Sequence, residues 1–527
     1  MKDRVSLTDF LMYHKETHPI SFHMPGHKGR STLYGIYGFG DFIKNVVGND
    51  ITEIPGADAL QQPRERIKDI MEGYAGLYGV KHTELLVNGS SAGLMASILG
   101  SVPRGGKLLM GRNSHRSVYG ALRLGGIDPV YIMPEIDDET GLQLGLDPNK
   151  IEAALIEDPD IKAVLVTSPN YYGVLSDIER IASIVHLHGR ILIVDQAHGA
   201  HLKFFDYLRS EDGLPRRAAE NCGADIVVDS THKTLLSFTG SAILNICTER
   251  PDVSRISELL RMLQTTSPSY LLMGSLDINQ QILRMDGYNL IKNWDADIKY
   301  FYQEAAQIAG LGLIDRIDLD ETKVSITMSA LGLSGPKLAE ELEKRNIWVE
   351  LTHGDYVMLM TGLGNERGDY EDILAALRDL SAHHGGRIQG VKSESSASKT
   401  EPAAQNAAQK QAKNEAQAVN KNVSQPLDKI TELRTPSSDS ALIERLEQRK
   451  IPDTYEEIPL YSAEGRVLYE SIIPYPPGSP IACPGEVLNK SVILYVRDQL
   501  VAQHVVLGVD EEGRVKVESD CVLFKEI

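Results

Sequence analysis

The fold is decided by residues 161–233, which read IKAVLVTSPNYYGVLSDIERIASIVHLHGRILIVDQAHGAHLKFFDYLRSEDGLPRRAAENCGADIVVDSTHK. Short apolar runs occur at 164–166, 191–194 and 226–228, and each is followed by polar residues. A helix-like segment at 177–189 separates the first two runs. Buried strands that alternate with helices predict a mostly parallel sheet with helices on both faces. Because ligands bind at the carboxyl ends of such strands, we expect the functional site at that edge.

The composition is that of a globular protein with large cores. The chain has 527 residues, 42% of them hydrophobic, and a formal net charge of −19, which opposes non-specific binding to nucleic acid or anionic membranes. It has 4 cysteines and no C-x-x-C pair, which is typical of a reducing cytoplasm and indicates neither a disulfide framework nor a zinc ribbon. The apolar runs are strand-sized and the N-terminus lacks an apolar signal region, so we expect a cytoplasmic protein without a membrane span.

Shifts in composition divide the chain into segments. We predict an extended N-terminal arm at 1–60, a major α/β domain at 61–275, a small α+β lobe at 276–390, a linker at 391–426 and a separate C-terminal α+β domain at 427–527. The linker consists of Ala, Gln, Lys, Asn, Ser and Glu with almost no large apolar residue. Such a segment cannot bury a core, so we predict that it is disordered.

The segment DSTHKT at 229–234 is the first candidate for chemistry, because it follows an apolar run. A lysine at a buried strand end is costly unless it is deprotonated or used covalently. A Schiff base on Lys233 would meet that requirement. Ser230 and His232 flank the lysine with donors for a phosphate. Taken alone, the segment is explained equally well by a solvated lysine in a loop.

Asp195 closes the run at 191–194 and is the second candidate. A carboxylate there can pair with a protonated pyridine nitrogen, which keeps the ring able to accept electrons from a bond that breaks at Cα. A helix cap or a structural salt bridge is the alternative. His198 could bond the phenolic oxygen of the same cofactor. A zinc site of His198 and His201 would lack a third ligand, so we expect no metal.

Three further segments carry weaker signals. The segment VNGSSAG at 87–93 precedes a helical run from Leu94, and small residues that open a helix can cradle a phosphate with backbone N–H groups. An ordinary serine cap is the alternative. His115 in RNSHRS could stack on a cofactor ring, or it is a surface histidine. The segment TTSPSY at 265–270 offers another cluster of hydroxyl groups, for which a polar turn is the alternative.

The order of these segments resembles that of the fold-type I pyridoxal-phosphate enzymes, and specifically the Orn/Lys/Arg decarboxylase family of bacterial amino-acid decarboxylases. Further segments are similar to motifs of that family: FHMPGHK at 22–28, TTSPSY at 265–270, YPPG at 475–478 and PGE at 484–486. The resemblance covers nearly all of 10–385 and about 430–527. It implies a fold-type I major domain, a pyridoxal 5′-phosphate cofactor and a homodimer or higher homo-oligomer with shared active sites.

The resemblance also assigns a role to each matching residue. Lys233, His198 and Asp195 are the implied catalytic residues: Lys233 forms the Schiff base and Asp195 bonds the pyridine nitrogen. His115 stacks on the ring. The phosphate is held by Ser90, Ser91, the Ala92 backbone, Ser230 and His232. Thr266 and Ser267 reach the phosphate of the neighbouring subunit.

The implied reaction is decarboxylation of arginine, lysine or ornithine to the amine and CO₂, in polyamine metabolism, with arginine slightly favoured. Glu486 is the candidate for binding the distal cation of the substrate, unless it only bonds backbone N–H groups in its own turn. Another fold-type I activity, an aminotransferase or an aldolase-like lyase, is the alternative, as is a non-catalytic relative. The chain departs from the family at Gln196, where short members often carry Glu. Because the signature starts near residue 22, we expect no N-terminal wing domain of the kind that long members carry. The linker resembles an insertion relative to the family.

Overall fold

The computed structural model describes residues 6–394, 446–449, 451–452, 454–475, 480–501 and 505–519. Of the predicted linker, residues 391–394 form the end of a helix, and residues 395–426 lie outside the described part. The prediction of disorder is therefore wrong for residues 391–394, which continue the preceding helix, and it stays a prediction for residues 395–426. Residues 476–478 of the YPPG motif also lie outside the described part.

The N-terminal arm forms helices and a strand where the sequence predicts extended chain. It contains α1 (Leu7–Glu16), β1 (Ile20–Phe22), α2 (Ser31–Ile36), α3 (Gly40–Lys44) and α4 (Val46–Asn49). A capping box starts α1: the Ser6 hydroxyl accepts the N–H of Asp9, and the Asp9 carboxylate accepts the N–H of Ser6. The expectation of extended chain is wrong for α1, because its start signal is this local pair and no residue of α1 is buried to give a strong apolar stripe.

Residues 82–246 contain the sheet that organises the molecule. Its strands are β2 (His82–Leu86), β3 (Lys107–Gly111), β4 (Asp128–Ile132), β5 (Ile161–Thr167), β6 (Ile191–Asp195), β7 (Ile226–Asp229) and β8 (Ala242–Ile246). Their spatial order is β2-β8-β7-β6-β5-β3-β4. The strands from β7 to β4 pair in parallel, and β8 runs antiparallel to both its neighbours. This arrangement confirms the predicted mostly parallel sheet.

Helices cover both faces of this sheet, as the alternating pattern predicts. They are α5 (Arg66–Tyr78), α6 (Gly89–Ser101), α7 (Arg116–Gly125), α8 (Pro148–Glu157), α9 (Ile178–Leu187), α10 (Leu202–Glu211), α11 (Thr231–Thr234) and α12 (Val253–Leu263). Successive strand residues enter opposite cores: Ile193 packs with α6, α7 and α12, whereas Val194 packs with α8 and α9. Burial on both faces explains why these strands are continuous apolar runs.

The small lobe follows the long helix α13 (Tyr270–Ala305), which is kinked at Asp286. The lobe contains β9 (Gly312–Leu313), β10 (Lys323–Thr327), α14 (Gly335–Glu343), β11 (Ile347–Val349), β12 (Leu351–His353), β13 (Tyr356–Met360) and α15 (Arg367–Glu394). Its antiparallel sheet has the order β12-β13-β10-β9, and β11 pairs in parallel with β1 of the arm. The arm is thereby attached to the small lobe.

The C-terminal domain has its own small core. Its elements are β14 (Tyr455–Pro459), β15 (Ile473–Tyr475), α16 (Lys490–Val501), β16 (Val505–Leu507) and β17 (Arg514–Glu518). Leu468, Val492 and Val515 belong to this core, whereas Cys483 packs into the core formed by α6, α7 and α12 of the major domain. Among the residues that the structure describes, no helix is both long and apolar enough to cross a membrane.

Candidate active site

A cavity of about 420 Å³ lies at the carboxyl ends of β5, β6 and β7. Its walls come from these strand ends, from the start of α6, from the arm and from the loop before β8. The cavity is lined by eight of the site residues predicted from the sequence: Ser90, Ser91, His115, Asp195, His198, Ser230, His232 and Lys233. These residues are spread over more than a hundred positions of the chain, and the parallel sheet brings them together.

Lys233 lies on α11, directly after β7, and its Nζ is 2.9 Å from Nε2 of His198. Burial lowers the pKa of Lys233 to about 8, and the nearby carboxylates of Asp195 and Glu350 oppose that shift. An amine with this pKa is partly neutral near physiological pH, which is what nucleophilic attack on a carbonyl requires. Lys233 is therefore not the solvated loop lysine that the sequence alone also allowed.

Asp195 is buried at the end of β6, with 2% of its surface exposed. Burial raises the pKa of its carboxyl group, and the Lys233 ammonium and the Ala197 N–H act in the opposite direction. The Ala197 N–H donates to Oδ1 at 3.2 Å. The carboxylate therefore has few partners of its own and gains most from a cation placed against it.

The cavity histidines are held neutral. Burial lowers the pKa of His115 and of His232 to about 4, and lowers that of His198 well below its usual range. Lys233 lowers all three values further. His232 Nδ1 lies 2.6 Å from the Ser241 carbonyl, so Nδ1 carries the ring proton and Nε2 presents a lone pair. His232 can donate from Nε2 only after protonation, which a phosphate placed beside it would favour.

The cavity walls carry buried polar atoms that find no partner within the described part of the chain. They are Thr167 Oγ1, His198 Nδ1 and Ser230 Oγ. An unsatisfied buried polar atom costs about 1–3 kcal/mol, so a wall that holds several of them fits a polar ligand. The hydroxyls suit phosphate or phenolic oxygens, and the imidazole Nδ1 suits an acceptor. These atoms therefore fit a phosphorylated, hydroxylated aromatic cofactor.

The start of α6 supplies backbone donors to the cavity. The helix begins at Gly89, earlier than the predicted start at Leu94, and the Gly89 N–H donates to the Gly240 carbonyl at 2.8 Å. The next two N–H groups, of Ser90 and Ser91, belong to the first turn and have no intrahelical acceptor. Ala92 is buried in the helix and does not line the cavity. It is the fourth helical residue, so its N–H is the first that has an intrahelical acceptor. The structure thus brings the serines, and not Ala92, to the predicted cradle.

The arm reaches the cavity through its FHMPGHK segment. Met24 and Pro25 line the wall, and the Gly26 N–H donates to the His232 carbonyl at 2.7 Å. A Cβ at Gly26 would lie 2.3 Å from the Leu235 carbonyl oxygen, so only glycine allows the arm to pack this closely on α11. Close backbone packing therefore explains why this position of the motif is a glycine.

Two other predicted groups lie away from the cavity of their own chain. Thr266 and Ser267 are exposed and do not line it. Glu486 is buried in the C-terminal domain, where its carboxylate pairs with Arg112 and accepts the Cys483 N–H at 2.7 Å. The assignment of Glu486 to the distal cation of a substrate is wrong in this arrangement, because Arg112 already neutralises the carboxylate. Glu486 instead bonds a backbone N–H group in its own turn, which was the structural alternative.

The sequence gives no signal for several residues at this site. Tyr171 lies after β5, and its ring centroid is 4.9 Å from that of His198. Its hydroxyl donates to Glu350 of the small lobe at 2.8 Å, across 179 positions of chain. Gln143 and Asn113 also line the wall and bond to each other at 3.0 Å. A cluster of His, Cys, Asp and Glu that could hold a metal ion does not occur among the described residues.

Comparison with known proteins gives matches over nearly the whole chain. Residues 5–317 match the family model of the Orn/Lys/Arg decarboxylase major domain, and residues 440–509 match that of the C-terminal domain. An arginine decarboxylase of Bacillus anthracis is 30% identical over 514 residues, which cover 95% of this chain and 94% of that protein. An arginine decarboxylase of Bacillus subtilis is 30% identical over 513 residues, with coverages of 95% and 94%.

A similar fold occurs in lysine decarboxylase A from Pseudomonas aeruginosa, with a TM-score of 0.68 at 19% identity. The match covers 97% of this chain and 80% of that one. At this identity the likeness concerns the fold alone.

Proposed function

The chain belongs to the Orn/Lys/Arg decarboxylase family, and we propose that it removes the α-carboxylate of a basic amino acid as CO₂ and leaves the corresponding amine. The observation that supports this most is the contact between Lys233 and His198 in a buried cavity beside Asp195. A lysine with a lowered pKa, a buried carboxylate and unpartnered polar atoms meet there. Perturbed groups that converge in a cavity are typical of a catalytic site.

The cofactor that we propose is pyridoxal 5′-phosphate. Lys233 would hold its aldehyde carbon covalently, Asp195 its ring nitrogen and His115 the face of its ring. The phosphate would be held by Ser90 and Ser91 at the start of α6 and by Ser230 and His232 beside Lys233. When bound, this group supplies an electron sink for the electron pair that the departing carboxylate leaves at Cα.

Asp195 would keep the opposite charge next to that sink. Its buried carboxylate accepts only the Ala197 N–H among the hydrogen bonds of the described chain. A cationic ring nitrogen would complete the pairing and hold Asp195 ionised, because an opposite charge favours the charged form of a buried carboxyl group.

Lys233 and His198 would manage the proton that replaces CO₂. Lys233 Nζ is the group with a pKa near the working pH, and His198 Nε2 lies within hydrogen-bond distance of it. Because the pKa of His198 lies well below that of Lys233, Nζ would carry the proton, and His198 Nε2 would accept its hydrogen bond and orient it. Tyr171 packs its ring against His198 and limits the access of water from that side.

We further propose a homodimer in which Thr266 and Ser267 of one subunit approach the phosphate site of the other. Both residues are exposed in the single chain, and neither lines the cavity of that chain. The arm also exposes large apolar side chains, including Leu7, Met12 and Val47, which association would cover. Sedimentation at micromolar concentration tests this, and a monomer with full activity would contradict it.

The substrates that we propose are arginine first, then lysine and ornithine, whose amine products belong to polyamine metabolism in the cytoplasm. The names of the Bacillus relatives favour arginine. The test is to incubate the enzyme, loaded with pyridoxal phosphate, with each amino acid and to measure CO₂ and keto acid. CO₂ with an equal amount of amine supports the proposal. Keto acid without CO₂ would indicate an aminotransferase instead.

A further inference from the structure

Glu350 is a half-buried carboxylate of the small lobe that contacts two residues of the cavity wall. It lies between β11 and β12, and its Oε2 accepts the N–H of Met24 at 2.9 Å. Its Oε1 accepts the hydroxyl of Tyr171 at 2.8 Å. Met24 and Tyr171 both line the cavity. The carboxylate is therefore fixed directly behind two residues of the wall, one from the arm and one from the major domain.

The hydrogen-bond partners of Glu350 are neutral. Within the part of the chain that the structure describes, Glu350 forms no salt bridge, although the structure contains buried ion pairs elsewhere. A carboxylate offers about four acceptor positions, so two remain for a further donor. Neutral donors orient the group without cancelling its charge. Lys28 is a neighbouring cation: burial lowers its pKa to about 7, Glu350 opposes that shift, and its Nζ donates to the carbonyls of His23 and Met360 and not to Glu350. The carboxylate therefore stays attractive to a further cation.

Other carboxylates near the cavity are less suited to a mobile cation. Asp195 is buried deeper, next to Lys233, and it has the position expected for the cofactor. Glu486 is neutralised by Arg112. The negative charge of Glu350 does reach the cavity, because it opposes the lowering of the pKa of Lys233.

We propose that Glu350 binds the distal cation of the basic amino acid and so determines the charge of the accepted side chain. This rests on the proposed decarboxylase function and adds the residue that selects the substrate. The α-carboxylate and α-amine of the substrate would lie at Lys233, and the extended side chain would reach toward Met24 and Tyr171. An ammonium or guanidinium group there would donate to the free acceptor positions of Glu350.

The alternative is that Glu350 only holds Met24 and Tyr171 in place. The substitution Glu350→Gln separates the two explanations, because the amide keeps the shape and can still bond both neighbours while it loses the charge. Glu343→Gln is the matched control, since Glu343 is exposed on α14 of the same lobe and undergoes the same change of charge.

The test uses the full chain loaded with pyridoxal phosphate. We expect Glu350→Gln to raise KM for the cationic substrate by roughly ten- to hundredfold, which is what a hydrogen bond to a charged group contributes. The inhibition constants of norleucine and citrulline, neutral analogues of lysine and arginine, should change less than about twofold, the range of an uncharged contact. Direct titration of the product amine should show the same loss of affinity. Glu343→Gln should behave as the wild type.

Each outcome decides between the explanations. Equal weakening of cationic and neutral ligands would overturn the proposal and leave Glu350 as a residue that positions the wall. Unchanged KM would also overturn it and would assign the cation to another group, including one from a second subunit. The proposed function fails separately, if the wild-type enzyme releases no CO₂ from any basic amino acid.

Discussion

Arg112 and Glu486 form a buried ion pair that joins the C-terminal domain to the edge of the cavity. Arg112 Nη2 lies 2.7 Å from Oε2 of Glu486, Nε lies 3.1 Å from Oε1, and each side chain is 4% exposed. Arg112 directly follows β3 and stands three residues before His115, which lines the cavity. Its Nη1 also donates to the Pro480 carbonyl at 2.9 Å. The pair therefore fixes a cavity-forming loop through a domain whose described residues do not line the cavity.

Glu486→Gln should destabilise the protein. Removing one charge of a buried pair leaves the other uncompensated, which typically costs about 3–5 kcal/mol. The amide retains one acceptor for Arg112, so we expect a loss near the lower end of that range. Chemical denaturation of the variant and the wild type measures it. The structure further predicts that KM for cationic and neutral substrates changes equally, because Glu486 lies away from the cavity.

A control and a double variant complete this experiment. Glu464→Gln changes an exposed carboxylate of the same domain and should leave the unfolding free energy within about 0.5 kcal/mol of the wild type. Combining Arg112→Met with Glu486→Gln should cost less than the sum of the single losses, since the uncompensated charge is gone. Strict additivity would show that the two side chains do not act as a pair.

Lys233→Ala should abolish turnover and the covalent attachment of pyridoxal phosphate that borohydride reduction traps. The reason is that Lys233 Nζ is the amine beside His198 and Asp195 in the cavity. Mass spectrometry of the reduced protein locates the modified lysine. The buried Lys323, whose Nζ donates to the His198 carbonyl at 3.1 Å, is the internal comparison. Modification of Lys323 in the wild type would contradict the assignment.

The pKa of Lys233 can be read in the protein before it is loaded. Burial lowers it to about 8, so the neutral fraction rises through that pH, and labelling by an amine-reactive reagent should rise with it. Asp195 opposes the lowering, because a nearby carboxylate stabilises the ammonium. Asp195→Asn should therefore lower the pKa of Lys233 further and move the labelling curve to lower pH. A curve that moves to higher pH would contradict this electrostatic account.

Asp195→Asn should also lower kcat of the loaded enzyme by about a hundredfold or more, with folding preserved. The amide cannot stabilise a positive ring nitrogen as the carboxylate does, and lost electrostatic stabilisation of this kind typically costs about 3–4 kcal/mol. Steady-state kinetics give kcat, and circular dichroism checks the fold. A loss smaller than about threefold would refute the pairing of Asp195 with the cofactor, since it amounts to less than about 1 kcal/mol.

Local patterns were enough to predict the sheet and much of the cavity. The runs at 191–194 and 226–228 are apolar because both faces of their strands are buried, and polar residues begin where the strands end. Parallel pairing then brings Asp195 and Lys233 to one edge. These features depend on a few neighbouring residues, which is the range over which a sequence pattern is informative.

Contacts between distant segments could not be predicted in this way. Glu486 and Arg112 are separated by 374 positions, so the PGE motif gave no indication that its acid is already paired. Glu350 and Tyr171 are separated by 179 positions, and neither stands in a distinctive local pattern. Helix α1 was missed because its apolar side chains stay exposed. Both pairs join residues of different domains, which a local pattern cannot reveal.

Gln196, the residue after Asp195, lies in a buried polar network. Its Nε2 donates to Asp229 Oδ1 at 2.9 Å and to Glu220 Oε2 at 3.0 Å, and Asn245 Nδ2 donates to the other oxygen of each acid. Burial, followed by the neighbouring Glu220, raises the pKa of Asp229 well above its usual range. The amide thus donates to two acids that already interact with each other, and a third acid in its place would add like charge.

Gln196→Glu should destabilise the protein increasingly as pH rises. Burial and like charge raise the folded-state pKa of the new carboxyl group above its unfolded value of about 4.3, so the folded state binds more protons and loses stability between the two values. Each unit of difference costs about 1.4 kcal/mol. Denaturation at pH 5 and pH 8 measures this, with the exposed Gln303→Glu as the control. The double variant Gln196→Glu with Asp229→Gln again has one amide and two acids at these three positions, so it should recover most of the lost stability. If it does not, the position of the donors in the network matters as well as its charge.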